Sequence, residues 1–82
     1  MIFPTIHLNG TSKRELYLAY YAAHNAVQDA IMALAQTTPH GRDYYPQGDQ
    51  AYARASKEHR DRIAALKVIL ADLESLTLAT MP

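Results

Sequence analysis

Apolar side chains recur every three or four positions along two stretches of the chain, with a segment rich in proline and glycine between them. The first stretch forms one apolar stripe, composed of Leu16, Tyr20, Ala23, Val27, Ile31 and Leu34. The second forms a stripe with a period of about 3.5 residues, composed of Tyr52, Ala55, His59, Ile63, Leu66, Leu70, Leu73 and Thr77, with Ile69 and Leu76 to one side. Such spacing is typical of amphipathic helices. It predicts helices at residues 12–36 and 49–78.

Local signals support these helix ends. Ser12 and Glu15 fit a capping box, in which the hydroxyl and the carboxylate each accept a hydrogen bond from a backbone amide, and Thr11 is the alternative cap. Pro39 disfavours helical backbone at Thr38, so the first helix should stop there. Asp49 is the expected N-cap of the second helix.

The segments outside the helices have different characters. The linker, residues 37–48, contains two prolines and two glycines, which preclude a helix there. The N-terminal segment, residues 3–9, alternates modestly between apolar and polar positions and is followed by a turn dipeptide, Asn9-Gly10. It predicts a short strand or an extended arm. A lone strand has no partner in this chain, so it would lie on a helix or pair with a second copy.

The predicted fold is a single all-α domain over residues 1–82, an antiparallel two-helix hairpin with an N-terminal arm. The first helix is apolar on most sides. Leu18, Ala22, Ala26 and Ala33 form a face away from the main stripe, Tyr17, Tyr21 and Met32 form another, and Asp29 is the one charged residue between positions 16 and 35. A helix of this kind is normally buried. We therefore expect the chain to associate with itself into a homo-oligomeric helical bundle.

Composition excludes several functional classes. The eight basic and eight acidic residues give no formal net charge, and general binding to DNA, RNA or acidic membranes requires a basic excess. The absence of cysteine excludes disulfides and thiol catalysis. No basic leader or uninterrupted apolar run is present, so we expect a cytoplasmic protein without membrane contact. No metal-ligand spacing or cofactor motif is present, and no cofactor is expected.

The charges are unevenly placed. Four of the sixteen charged side chains lie in residues 1–41 and twelve in residues 42–82. Around the start of the second helix, the basic residues outnumber Glu58 and Asp61; they are Arg54, Lys57, Arg60, Arg62 and Lys67. This arrangement is typical of a solvated face with pairs such as Glu58 and Arg62. The alternative is a local cationic patch that binds phosphate, for which the spacing is a weak signal.

The linker carries more chemistry than a turn needs, in the run Arg42, Asp43, Tyr44 and Tyr45. Tyrosine can stack on a base and make one hydrogen bond, and arginine has a fork that fits phosphate or carboxylate. A structural alternative is that the two tyrosines plug the hairpin while Arg42 and Asp43 form a local ion pair. We predict a ligand site, formed by Arg42, Asp43, Tyr44, Tyr45, His59, Arg62 and Asn9.

Two members of this predicted site have their own alternatives. His59 lies on the apolar stripe, where a lone histidine is often a hydrogen-bonded core residue. Asn9 precedes the first helix, whose roughly 24 residues would hold it about 36 Å from the linker within one chain. An antiparallel partner would bring the arm of one protomer to the linker of the next, so we expect a composite site. Acid–base catalysis by Asp43 with His40 or His59 is a further alternative.

The sequence resembles a group of small helical proteins encoded by phages and prophages. The likeness covers nearly the whole chain and rests on residues 5–12 (TIHLNGTS), residues 41–48 (GRDYYPQG) and the pair Glu58-His59 followed by Arg62. It implies a phage setting, with the host cytoplasm as the location, and no particular chemistry.

In such a setting we expect a nucleotide-like anionic small molecule as ligand, sequestered by a homo-oligomeric protein that counters host defence. The first alternative is an interaction or structural protein that acts through its helical faces. The second is a small hydrolase of a nucleotide signal.

Overall fold

The computed structural model describes all residues from Met1 to Pro82 and consists of two long helices, α1 (Lys13–Ala35) and α2 (Ala51–Thr80), without any strand. Tyr17 near the start of α1 shares a groove with Thr77 near the end of α2, and Thr38 just beyond α1 contacts His59 in the early part of α2. These two pairings require an antiparallel arrangement. The predicted all-α hairpin is confirmed.

Helix α1 begins and ends within one residue of the predicted positions. The Ser12 hydroxyl oxygen accepts a hydrogen bond from the Glu15 backbone amide at 3.1 Å, which forms one half of the expected capping box. At the other end, the hydroxyls of Thr37 and Thr38 donate to the carbonyls of Leu34 and Ala35 at 2.7 and 2.6 Å. These bonds satisfy carbonyl groups that the helix itself leaves without partners.

The start of α2 differs from the prediction. Its N-cap is Gln50, with no side-chain capping bond, and the helix runs from Ala51 to Thr80 instead of from 49 to 78. The difference has a local cause at Gly48, whose φ of 107° is readily adopted by glycine alone. The Ala51 amide donates to the Gly48 carbonyl at 3.3 Å. Asp49 therefore lies inside this turn, one residue before the cap.

The linker is more ordered than its composition predicts. It contains no α-helix, but it forms two single 3₁₀ turns, Gly41–Asp43 and Tyr45–Gln47. Pro46 lies in the first positions of the second turn, where a missing N–H costs no hydrogen bond. The expectation that proline and glycine preclude any helix was too strict, because they are compatible with a single short turn.

The helices pack along the predicted stripes, but the interface between them is shallow. Every stripe residue of α1 is partly buried, and on α2 the stripe is partly or fully buried except at Tyr52. No apolar side chain is fully buried; the buried residues are His59, Thr77 and Thr80. The two threonine hydroxyls donate to carbonyls of the preceding turn, Leu73 and Leu76, at 2.7 and 2.8 Å. This shallow interface between α1 and α2, called the seam below, takes the place of the buried apolar core that a larger domain has.

The N-terminal segment forms no strand, so that alternative of the prediction was wrong. It has no regular structure before a turn closed by a hydrogen bond from the Gly10 amide to the His7 carbonyl at 3.1 Å. A strand needs a neighbour for its backbone groups, and this chain supplies none. Ile2 and Leu8 are 92% and 97% exposed.

The molecule is elongated, at 61 × 20 × 16 Å, with a radius of gyration of 18.3 Å. Its accessible surface is 6199 Å². A compact folded chain of the same mass would expose about 4,900 Å². Neither helix combines the length and the hydropathy needed to cross a bilayer.

Candidate functional site

The most prominent concave feature is a cleft at the closed end of the hairpin. The contact between Thr38 and His59 fixes the end of α1 beside the third turn of α2, so residues 51–58 extend past α1 by about 12 Å. The linker folds beside this overhang. A cleft of about 510 Å³ opens between them. Its linker wall contains Thr37, Pro39, Tyr44 and Gln47, and its α2 wall includes Arg54, Glu58, His59 and Arg62.

The charges of the α2 wall lie on one helical face, because Arg54, Glu58 and Arg62 are spaced four residues apart. An Arg62 Nη2 atom lies 3.6 Å from Glu58 Oε2, and both side chains are more than half exposed. Such a pair stabilises a protein by only about 0–1 kcal/mol. Arg54 has no acidic partner within ion-pair distance. The cleft therefore contains two guanidinium groups, of which that of Arg54 is unpaired and that of Arg62 is in a weak ion pair.

His59 lies at the back of the cleft and is 8% exposed. Its Nε2 atom is 3.3 Å from the Thr38 hydroxyl oxygen. That hydroxyl already donates its hydrogen to the Ala35 carbonyl at 2.6 Å, so it accepts from the imidazole N–H. His59 is thus a hydrogen-bonded residue of the helix seam, as one of the two interpretations predicted, and it also borders the cleft.

The structure separates the predicted linker residues. Tyr44 is partly buried and lines the cleft, whereas Tyr45 is 76% exposed and lies outside it. Arg42 and Asp43 are exposed in the first 3₁₀ turn, also outside the cleft, and no ion pair joins them. Of the predicted site residues, the cleft brings together Tyr44, His59 and Arg62.

Asn9 lies at the other end of the molecule. It is exposed in the turn that precedes α1, and the 23 residues of α1 separate that turn from the linker by about 35 Å. It cannot contact the cleft of its own chain. The composite site between protomers stays a prediction.

Several cleft residues were not assigned by the sequence, namely Arg54, Glu58, Gln47 and Thr37. A signal for the first two was present in the four-residue spacing of Arg54, Glu58 and Arg62 on one helix face. Gln47 had no such signal, because its position depends on the 3₁₀ turn at Tyr45–Gln47.

A second, smaller groove lies at the open end of the hairpin. The rings of Tyr17 and Tyr21 stack on α1 with centroids 5.8 Å apart and an interplanar angle of 21°. They line about 160 Å³ of space with His24 from α1 and with Glu74, Thr77, Leu78 and Met81 from the end of α2 and its cap. Tyr17 and Tyr21 belong to one of the faces of α1 that point away from its main stripe.

The chain groups no three His, Asp or Glu side chains closely enough to hold a metal ion. Comparison with known proteins yields no likeness to reason from, because no protein-family model, no curated protein and no solved structure matches the chain.

Proposed function

We propose that this protein binds a small anionic, nucleotide-like molecule in the cleft at the closed end of the hairpin and retains it unchanged. The observation that carries the proposal is that the unpaired Arg54 of α2 and Tyr44 of the linker line the same cleft of about 510 Å³. This volume lies within the range of about 300–1,000 Å³ typical of small-molecule sites.

Each wall of the cleft has a role in this proposal. Arg54 and Arg62 are the phosphate contacts, since a guanidinium fork matches phosphate oxygens in a bidentate manner. Releasing Arg62 from Glu58 costs little, because their 3.6 Å pair is exposed. Tyr44 offers a ring face to a base, and Gln47 offers an amide to its polar edge.

Retention is favoured over hydrolysis by the positions of the acid–base candidates. Asp43 lies outside the cleft, and the Nε2 atom of His59 is engaged with Thr38. The carboxylate that does line the cleft, Glu58, faces Arg62. The hydrolase alternative requires a carboxylate positioned on a histidine nitrogen, and no hydrogen bond or ion pair joins a carboxylate to a histidine in this chain.

In the phage setting expected from the sequence, the proposal has a definite biological role. A protein that holds a signalling nucleotide in the host cytoplasm lowers its free concentration, which is the expected anti-defence role. The alternative of an interaction protein is supported by the exposed apolar side chains on both helices, among them Leu18, Met32 and Val68.

The test is ligand depletion followed by recovery. The protein is incubated with cyclic dinucleotides, ADP-ribose and ATP, the free pool is measured after filtration, and the bound fraction is released by heat and analysed by mass spectrometry. Depletion with intact release is the expected result. An altered product would indicate the hydrolase, and no depletion of any probe would indicate the interaction protein.

Two arginine variants make the test specific to the cleft. Arg54→Ala should weaken binding by about 10- to 150-fold, because a hydrogen bond to a charged group contributes roughly 1.5–3 kcal/mol. Arg60→Ala is the matched control, since Arg60 is also an exposed, unpaired arginine of α2 but lies outside the cleft. Equal losses in the two variants would mean that binding depends on general charge and would count against the cleft.

A further inference from the structure

The N-terminal arm, residues 1–12, exposes apolar side chains that its own chain does not cover. Leu8 is 97% exposed, Ile2 92% and Met1 63%, while Phe3 and Ile6 are close to half exposed. The segment from Ile2 to Ser12 contains no formally charged side chain. Scattered apolar residues on a surface are ordinary, but five within eight residues of one segment indicate a surface that is covered by a partner.

The groove at the open end has the size and lining to receive such a side chain. Tyr17, Tyr21, Leu78 and Met81 provide its apolar surface, and no arm residue of the same chain lines it. A cavity on the order of 150 Å³ accommodates a molecule the size of benzene. The groove of about 160 Å³ therefore has room for one leucine side chain.

The accessible surface indicates how much a partner must cover. The chain exposes 6199 Å², about 1,300 Å² more than a compact protein of its mass. Two copies that each buried this excess would remove about 2,600 Å², within the range of roughly 2,000–5,000 Å² found for obligate homodimers. A second copy of the chain supplies both the missing cover for the arm and an empty groove of the right size.

We propose that two copies of this chain exchange N-terminal arms, with Leu8 of each copy seated in the groove beside Tyr17, Tyr21 and Leu78 of the other. The exchange is reciprocal, so it forms a closed two-fold dimer that leaves no arm or groove unfilled. It does not depend on the ligand cleft, because the groove at Thr77 lies about 27 Å along α2 from His59. Either proposal can fail while the other stands.

Disulfide trapping tests the exchange, since the chain has no cysteine of its own. Purified Leu8→Cys chains are mixed with Leu78→Cys chains, allowed to exchange subunits and oxidised. A disulfide needs Cα atoms within about 7 Å, so arm exchange predicts a mixed covalent dimer on a non-reducing gel. Leu8→Cys with Val68→Cys is the matched control, because Val68 is similarly exposed on α2 but lies outside the groove.

A double variant shows whether the groove holds the arm of the other copy or the arm of its own chain. A single chain carrying both Leu8→Cys and Leu78→Cys should oxidise to a dimer, whereas an intrachain disulfide of monomer size would mean that the arm folds into its own groove and would overturn the proposal. Equal trapping at Val68→Cys would also overturn it. So would a wild-type protein that sediments as a monomer at micromolar concentration, since the groove would then be free for a different protein.

A serine substitution separates arm docking from folding. Leu8→Ser should convert the dimer to a folded monomer with unchanged helical circular dichroism, whereas Val68→Ser should remain dimeric. A Leu8→Ser protein that stays fully dimeric would contradict the seating of Leu8 in the groove.

Discussion

The Nε2 atom of His59 and the hydroxyl oxygen of Thr38 lie 3.3 Å apart, joining positions separated by 21 residues. This hydrogen bond connects the end of α1 to the side of α2 at a buried imidazole. It lies where α2 begins to extend past α1, and that overhang forms one wall of the cleft at the closed end. At this end of the hairpin a polar contact joins the two helices, whereas apolar packing joins them along the rest of the seam.

Removing this contact should destabilise the protein measurably. Thr38→Ala leaves the buried imidazole N–H without its partner, whereas Thr37→Ala removes only a hydroxyl that donates to the nearby Leu34 carbonyl of α1. We expect Thr38→Ala to lower the free energy of unfolding by about 1–3 kcal/mol more than Thr37→Ala does. Urea denaturation followed by circular dichroism measures both. Equal effects would mean that the interhelical bond contributes nothing.

The neighbouring tyrosines allow a matched test of the linker. Tyr44 lines the cleft and Tyr45 is 76% exposed outside it, so only Tyr44→Ala should weaken nucleotide binding. Base stacking contributes about 1–3 kcal/mol, which corresponds to roughly a 5- to 150-fold loss of affinity. Titration calorimetry with the ligand identified by depletion measures this. Normal binding by Tyr44→Ala would contradict the stacking role of Tyr44. If both variants unfold, the linker is a structural plug.

The parts of this fold that the sequence predicted are those set by periodicity. The stripes of α1 and α2 follow from apolar spacing, and Ser12 from a local capping pattern. The cap of α2 was misplaced by one residue, because a positive φ at Gly48 shifts the turn and sequence preference alone does not report it. For residues 3–9 the sequence left a strand or an extended arm open, and the strand alternative was wrong because strand pairing is a long-range property that seven residues do not encode.

The sequence likewise predicted some residues of the cleft and missed others. His59 and Arg62 were identified because they stand out on a helix face. Arg42 and Tyr44 are two residues apart in the linker, and composition could not tell that the two 3₁₀ turns direct only Tyr44 into the cleft. In the sequence Arg54 was one of several basic residues of the second helix, and its place in the same cleft as Tyr44 depends on how far α2 extends past α1.

Self-association should depend on the uncharged face of α1. Ala22 and Ala26 are exposed in the single chain, on a helix whose one charge between residues 16 and 35 is Asp29. If a second copy covers this face, Ala26→Glu buries an unpaired carboxylate, which costs several kcal/mol and should dissociate the assembly. Sedimentation equilibrium measures the change. Ala53→Glu on α2, also exposed in the single chain, is the control and should sediment like the wild type.

The last prediction decides whether the arm belongs to the ligand site. Asn9 lies about 35 Å from the cleft of its own chain, and arm exchange seats the neighbouring Leu8 at the partner's open end, away from the partner's cleft. We therefore expect Asn9→Ala to bind nucleotide with wild-type affinity while Arg54→Ala does not. If the site is instead composite between protomers, as the sequence predicted, Asn9→Ala would also lose binding. Mixing Asn9→Ala with Arg54→Ala under proven subunit exchange would then restore a fraction of intact sites. Binding assays on the two variants, alone and mixed, distinguish these arrangements, because restoration by mixing requires that one cleft draw on two chains.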